Sequence, residues 1–162
     1  MDILFKTEKT VFSYRVAGVL RCGDRWLVQK PPQDEDGYAF VGGHVVFGET
    51  NAQTLVREFE EELHQKITVG RLMGVGEIFI PWGARDCHQI CLYYEVDFDG
   101  APMIPTEGVF HGFDELGGER IDLDFYWLDR AALERVTVYP PEMVPHLLSG
   151  VPDVLHFVYR EE

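Results

Sequence analysis

The chain has 162 residues, 46% hydrophobic and 13% aromatic, and a formal net charge of −14 at pH 7. That length and apolar share predict one globular domain over residues 1–162, large enough for a core of its own. The negative balance argues against partners such as a nucleic-acid polymer, and no apolar run approaches the roughly 18 residues that a membrane-spanning helix needs.

The opening, MDILFKTEKT, carries early charges and no signal-peptide pattern. Three cysteines, Cys22, Cys87 and Cys91, leave one unpaired under any scheme and read as reduced thiols. A cytoplasmic location is the expectation. Residues 1–33 hold six basic and three acidic side chains, a local excess of cations in an acidic chain. An anionic small molecule would find its cations there, with Arg15 and Lys30 as candidates to reach phosphates.

Residues 10–20 (TVFSYRVAGVL) are rich in β-branched and aromatic types and predict a strand or two. Cys22-Gly23-Asp24 signals a turn, and 25–30 (RWLVQK) returns as the second arm of a hairpin. A loop over 31–37 and a short extended run over 38–41 lead to the double glycine Gly42-Gly43. Thr50 or Asn51 would cap a helix. On it Ala52, Leu55, Val56, Phe59 and Leu63 repeat at helical period as the core-facing stripe. Residues 67–80 hold strand material broken by glycines, 81–86 a turn, and 88–97 (HQICLYYEVD) a strand. The stretch 100–120, with five glycines and two prolines, reads as a long irregular loop, and such loops in compact domains are often functional. A strand over 122–128, a helix over 130–135 capped by Asp129, a helix opened by Pro140 or Pro141 and ending near Gly150, and a last strand over 154–160 complete the chain. Strands outnumber helices, and the pattern predicts an α/β or α+β domain.

The helix after the double glycine carries the chemistry. Glu58, Glu61 and Glu62 stand at i, i+3 and i+4, which puts three carboxylates on one face. Like charges so spaced destabilise a helix by a few tenths of a kcal/mol per pair, and acids late in a helix oppose its dipole. A divalent cation would relieve that repulsion, and a set of oxygen ligands suits Mg²⁺, Mn²⁺ or Ca²⁺ rather than zinc.

The wider spacing is Gly43, five residues, Glu49, seven residues, Arg57-Glu58, two residues, Glu61-Glu62. It resembles the Nudix box, G-x5-E-x7-R-E-U-x-E-E-x-G-U with U aliphatic, over residues 43–65. Three positions depart: Phe59 and Gln65 at aliphatic sites and His64 at the second glycine. Val41 stands where the family often has proline. All four are packing or turn positions. The later YWLDRAALERVTVYPPEMVPHLL is similar to the tail of many small Nudix proteins.

The resemblance implies a mixed β-sheet sandwiched between α-helices and a Mg²⁺- or Mn²⁺-dependent pyrophosphohydrolase. The substrate would be a nucleoside diphosphate linked to another group, such as a nucleoside triphosphate or a nucleotide-sugar. It implies metal binding by Glu58, Glu61, Glu62 and the Gly43 carbonyl, an orienting role for Arg57, and a loop-fixing role for Glu49. Glu61 is one candidate proton acceptor. An acid of the 100–120 stretch (Glu107, Asp114, Glu115 or Glu119) is the other, with Glu115 the choice among them. Tyr38, Phe40, Trp82 and Phe110 are candidates to stack on a base, with Phe40 the choice among them. Many relatives dimerise, so a homodimer is within expectation. A Nudix-fold sensor that binds nucleotide without turnover is the alternative; such domains usually lose box charges, and none is lost here. The related isoprenyl diphosphate isomerase ranks low, because no cysteine is placed for its chemistry.

Overall fold

The computed structural model describes residues 1–32, 37–116 and 119–161, with the side chains of 114–116 and 119 outside the description. Within it lie nine strands: β1 Leu4–Lys6, β2 Thr10–Cys22, β3 Arg25–Lys30, β4 Val41–His44, β5 Ile67–Trp82, β6 Arg85–Phe98, β7 Val109–Leu116, β8 Glu119–Asp129 and β9 Leu155–Arg160. Three helices accompany them: α1 Asn51–Leu63, α2 Arg130–Arg135 and α3 Met143–Ser149. No helix among the described residues is long and apolar enough to cross a membrane.

The strands run in the order β7-β8-β3-β2-β6-β5-β9, with β1 and β4 added on β2. β2 with β6 and β5 with β9 are parallel, and the remaining pairs are antiparallel, so the sheet is mixed. Side chains alternate across β2 as the pleat requires. Val16 and Leu20 pack with Leu55, Phe59 and Leu63 of α1. Ala17 and Val19 pack with Leu133 of α2 and with Met143 and Leu147 of α3. The sheet is therefore sandwiched between α1 on one side and α2 with α3 on the other, which is the architecture the resemblance implies.

Local chemistry sets the limits of α1. The Thr50 hydroxyl accepts from the Gln53 amide at 3.1 Å, and the Gln53 side chain accepts from the Thr50 amide at 2.8 Å, a reciprocal capping box. At the other end His64 adopts the left-handed conformation (φ 52°) and its amide donates to the Glu60 carbonyl at 3.0 Å. A residue with a Cβ pays about 1 kcal/mol there relative to glycine, so the helix stops where the motif has glycine although the glycine is absent. Phe59, fully buried, has room because β2 carries Gly18 beneath it. A Cβ at Gly18 would lie 2.7 Å from the ring. Burying that ring contributes roughly 2–3 kcal/mol.

The second aliphatic departure has a different use. Gln65 is fully buried, its oxygen accepting from the Met103 amide at 2.6 Å and its nitrogen donating to the Lys66 carbonyl at 2.9 Å. It pins the segment between β6 and β7 to the end of α1. Trp127 helps, donating its indole N–H to the Pro105 carbonyl at 2.6 Å.

Several expectations change. The stretch 100–120 is irregular only as far as Gly108. Beyond it β7 and β8 form a hairpin in continuous register from Val109↔Tyr126 to Leu116↔Glu119. Backbone pairing outweighs the glycines there, and Gly112 is needed, because a Cβ would sit 2.9 Å from Phe125. The extended run over 38–41 pairs Ala39 with Gln29 and Tyr38 with Val138, and the double glycine that follows it lies inside β4. β1 was not anticipated. Ala52 and Val56 face solvent (Val56 is 42% exposed), so the core stripe of α1 is narrower than its apolar pattern, and Thr54 and Glu62 are buried instead. α3 starts at Met143, two residues beyond the prolines.

Candidate active site

β4 and α1 bring the box side chains together around one guanidinium. Arg57 Nε donates to both oxygens of Glu49, at 3.2 and 3.0 Å, and Nη2 donates to Glu49 again at 3.1 Å. Nη1 donates to Glu58 at 3.1 Å and to Glu61 at 3.2 Å. The Thr54 hydroxyl donates to Glu49 at 3.0 Å. These forked, charge-assisted bonds fix the loop before α1 to the helix and hold Glu49 below the usual carboxylate range; the Arg57 hydrogen bond is the largest cause. The same carboxylates push the Arg57 guanidinium further up.

The acids differ in exposure. The Glu58 side chain is 12% exposed, that of Glu61 54%, and Glu62 lies buried. Gly43 explains how Glu58 comes so close to β4: a Cβ on residue 43 would overlap the Glu58 carboxyl group. Glycine here is a matter of space. Three carboxylates, Glu49, Glu58 and Glu61, thus surround a single cation, a net negative cluster of oxygen donors. Among the described residues no three His, Cys, Asp or Glu side chains already converge as a cage.

The acids proposed from the 100–120 stretch separate. Glu107 pairs with Arg25 at 3.8 Å, at the turn end of the β2–β3 hairpin. Glu115 lies in β7 opposite Arg120. The side chains of Glu115, Asp114 and Glu119 lie outside the described residues. β7 itself runs beside α1: a Cβ on Gly112 would approach the Glu62 carbonyl to 3.5 Å.

On the opposite face of the sheet is a cavity of about 330 Å³, walled by Phe40, Trp82, Tyr93 and Tyr139 with Arg15 and Gln89 among its polar groups. Arg15 and Phe40 of the predicted substrate-binding set line it. Phe40 stands edge-on to Tyr93 at 6.3 Å. Lys30 is placed differently: it is buried, its ammonium 5.6 Å from the Tyr38 ring and 5.4 Å from the Tyr126 ring. β4 links cavity and carboxylates. Phe40 precedes it, the Gly43 side of the strand faces Glu58, and His44 faces the cavity side through Ser13. The Ser13 hydroxyl bonds to Gln89 Oε1 at 3.1 Å and meets His44 Nε2 at 3.1 Å. Burial, then the charge of Arg15, lowers the His44 imidazole to about 4, so it is neutral at pH 7. The reading from sequence missed this relay. Its trace was the alternation Ser13, Arg15, Ala17 on β2 beside Gln89, Cys91, Tyr93 on β6.

The NUDIX domain model matches residues 13–146. The chain belongs to the Nudix family, whose hydrolases cleave pyrophosphate linkages. The fold is similar to that of a Nudix hydrolase from Nitrosomonas europaea (TM-score 0.61, 11% identity, 92% of this chain and 79% of that one). It is similar also to the ORF135 protein of E. coli (0.53, 23%, 85% and 86%) and to an ADP-ribose pyrophosphatase of Streptococcus suis (0.55, 12%, 90% and 98%). No curated protein matches the chain.

Proposed function

We propose that the chain is a single-domain, divalent-metal-dependent pyrophosphohydrolase. Its substrate would be a nucleoside diphosphate linked to another group, a nucleoside triphosphate or nucleotide-sugar first among them. The observation that carries this reading is the fork of Arg57 onto Glu49, Glu58 and Glu61, with Glu58 seated against Gly43.

The donor set fits Mg²⁺ or Mn²⁺. It is all oxygen, it carries excess negative charge, and the Glu58 carboxyl lies against Gly43 in a place any side chain on residue 43 would take. Mg²⁺ uses one or two carboxylates with waters and substrate phosphates rather than a closed protein cage. Glu58, Glu61, Glu62 and the Gly43 carbonyl would hold the ion, which supplies a Lewis acid and a more acidic water when bound. Arg57 keeps Glu58 and Glu61 in place, and Glu49 with Thr54 keeps Arg57 in place. Glu61, the most exposed of the three helix acids, would accept the proton from the attacking water, with Glu115 as the alternative. The cavity beyond β4 would take the nucleoside, stacked on its aromatic walls, with Phe40 and Arg15 as contacts. Lys30 would act at a distance through its charge. The free thiols of Cys22, Cys87 and Cys91 suit a reducing cytoplasm.

Phosphate release from a panel of nucleotides with Mg²⁺ tests the reading. Wild type should turn over at least one member, and Glu61→Gln should lower that rate by on the order of 10²-fold, the range for removing one general base. Tight binding with no turnover across the panel would favour the sensor.

A further inference from the structure

The cavity walled by Phe40, Trp82, Tyr93 and Tyr139 has Arg15, Gln89 and Glu161 among its polar groups, with Arg15 and Gln89 as neighbours on β2 and β6. Arg15 projects into it from β2, and among the described residues its guanidinium makes no hydrogen bond or ion pair. Two residues over on the neighbouring strand, Gln89 is 8% exposed and its amide orientation is set from behind. His44 Nε2 meets the Ser13 oxygen at 3.1 Å, and the Ser13 hydroxyl donates to Gln89 Oε1 at 3.1 Å. The ring nitrogen Nε2 is then the donor, the serine passes the direction on, and the amide oxygen is turned toward Ser13. What Gln89 has left for the cavity is its NH₂ group.

A guanidinium and an amide NH₂ together ask for acceptors. Buried donors left without partners cost the complex about 1–3 kcal/mol each, so a ligand that meets them with its own N–H groups is rejected. Planar bases divide on this point. Guanine, hypoxanthine and uracil carry an exocyclic oxygen where adenine and cytosine carry an amino group, and arginine forks well onto the oxygen and ring nitrogen of a 6-oxopurine.

We propose that this cavity selects keto-bearing nucleobases through Arg15 and Gln89, with Ser13 and His44 as positioning residues that orient Gln89. The proposal rests on the reading that the cavity takes the nucleoside, and it names which bases that nucleoside carries.

The minimal pair of probes is inosine monophosphate against adenosine monophosphate, with uridine against cytidine monophosphate as the pyrimidine pair. Calorimetric titration of the full chain should give inosine monophosphate an affinity at least about 10-fold above its amino partner. Arg15→Met, a change at a partly exposed position, should shrink that ratio to about 2-fold or less. Gln89→Leu should do the same, with circular dichroism reporting whether its buried site still folds. Equal affinities in wild type would overturn the proposal. So would a preference for the amino bases, which would mean that the relay runs the other way and turns the Gln89 oxygen into the cavity. An Arg15→Met effect equal on all four nucleotides would also overturn it, assigning Arg15 to the phosphate. Because monophosphates are bound and not hydrolysed, a chain that cleaves no pyrophosphate could still show this preference. A chain that cleaves every nucleotide alike would lose this inference and keep its proposed activity.

Discussion

Gly43→Ala should leave the chain folded and lower pyrophosphate hydrolysis by on the order of 10²-fold or more. The methyl group would overlap the Glu58 carboxyl, which is the free end of a flexible side chain, so the side chain moves and the backbone stays. The stability cost should be correspondingly small, within about 1 kcal/mol, in the range of changes away from packed core atoms. Catalysis has no such slack, since a ligand displaced by an ångström loses its alignment, and misplacement on that scale costs about 10²-fold. The check is a pair of measurements on one preparation: a thermal melt and a rate of phosphate release. A folded Gly43→Ala chain with full activity would remove Glu58 from the reacting centre.

Arg57→Met should damage both fold and rate. Three carboxylates lose their common partner, and Glu49 loses a forked hydrogen bond that anchors the loop before α1. The expected loss is roughly 1–2 kcal/mol at pH 7, above an ordinary surface pair because the bonds are forked and part-buried. Its pH dependence has a definite sign. Arg57 holds Glu49 below its ordinary value of 4.5, so the stabilisation is present above that pH and is lost as pH falls through the lower folded value. Denaturant melts from pH 7 downward should show wild type and Arg57→Met converging below about pH 4.5. A gap that stays constant into acid would mean that Glu49 is not what the arginine holds.

Much of this was legible in residue order. The box spacing located every charged group of the arginine fork, because helical period and a fixed loop length determine which side chains can meet. Thr50 and Asp129 were readable as caps for the same local reason. What stayed hidden depends on contacts between distant segments. The β7–β8 hairpin looks like loop because glycines lower strand propensity, while the pairing that rescues it is with a partner strand, and Gly112 serves the Phe125 ring. Gln65 reads as a broken motif position until Met103 is seen to need its oxygen. Ala52 and Val56 share the apolar period of α1, yet they stand on its solvent side. The Ser13–His44–Gln89 relay joins three strands, and the parallel pairing of β2 with β6 that aligns Ser13 with Gln89 leaves no mark in either segment alone.

The central claim is that the crowded carboxylates of α1 exist to hold a divalent cation. It is tested most directly by melting the chain with and without Mn²⁺, in wild type and in Glu58→Gln combined with Glu62→Gln. An ion bound only to the native state at 100 times its dissociation constant adds about 2.7 kcal/mol, or roughly 5–10 °C for a chain of this size. Wild type should rise by that amount and the double variant should not respond. A double variant that rises as wild type does, or a wild type indifferent to Mn²⁺, would contradict the account.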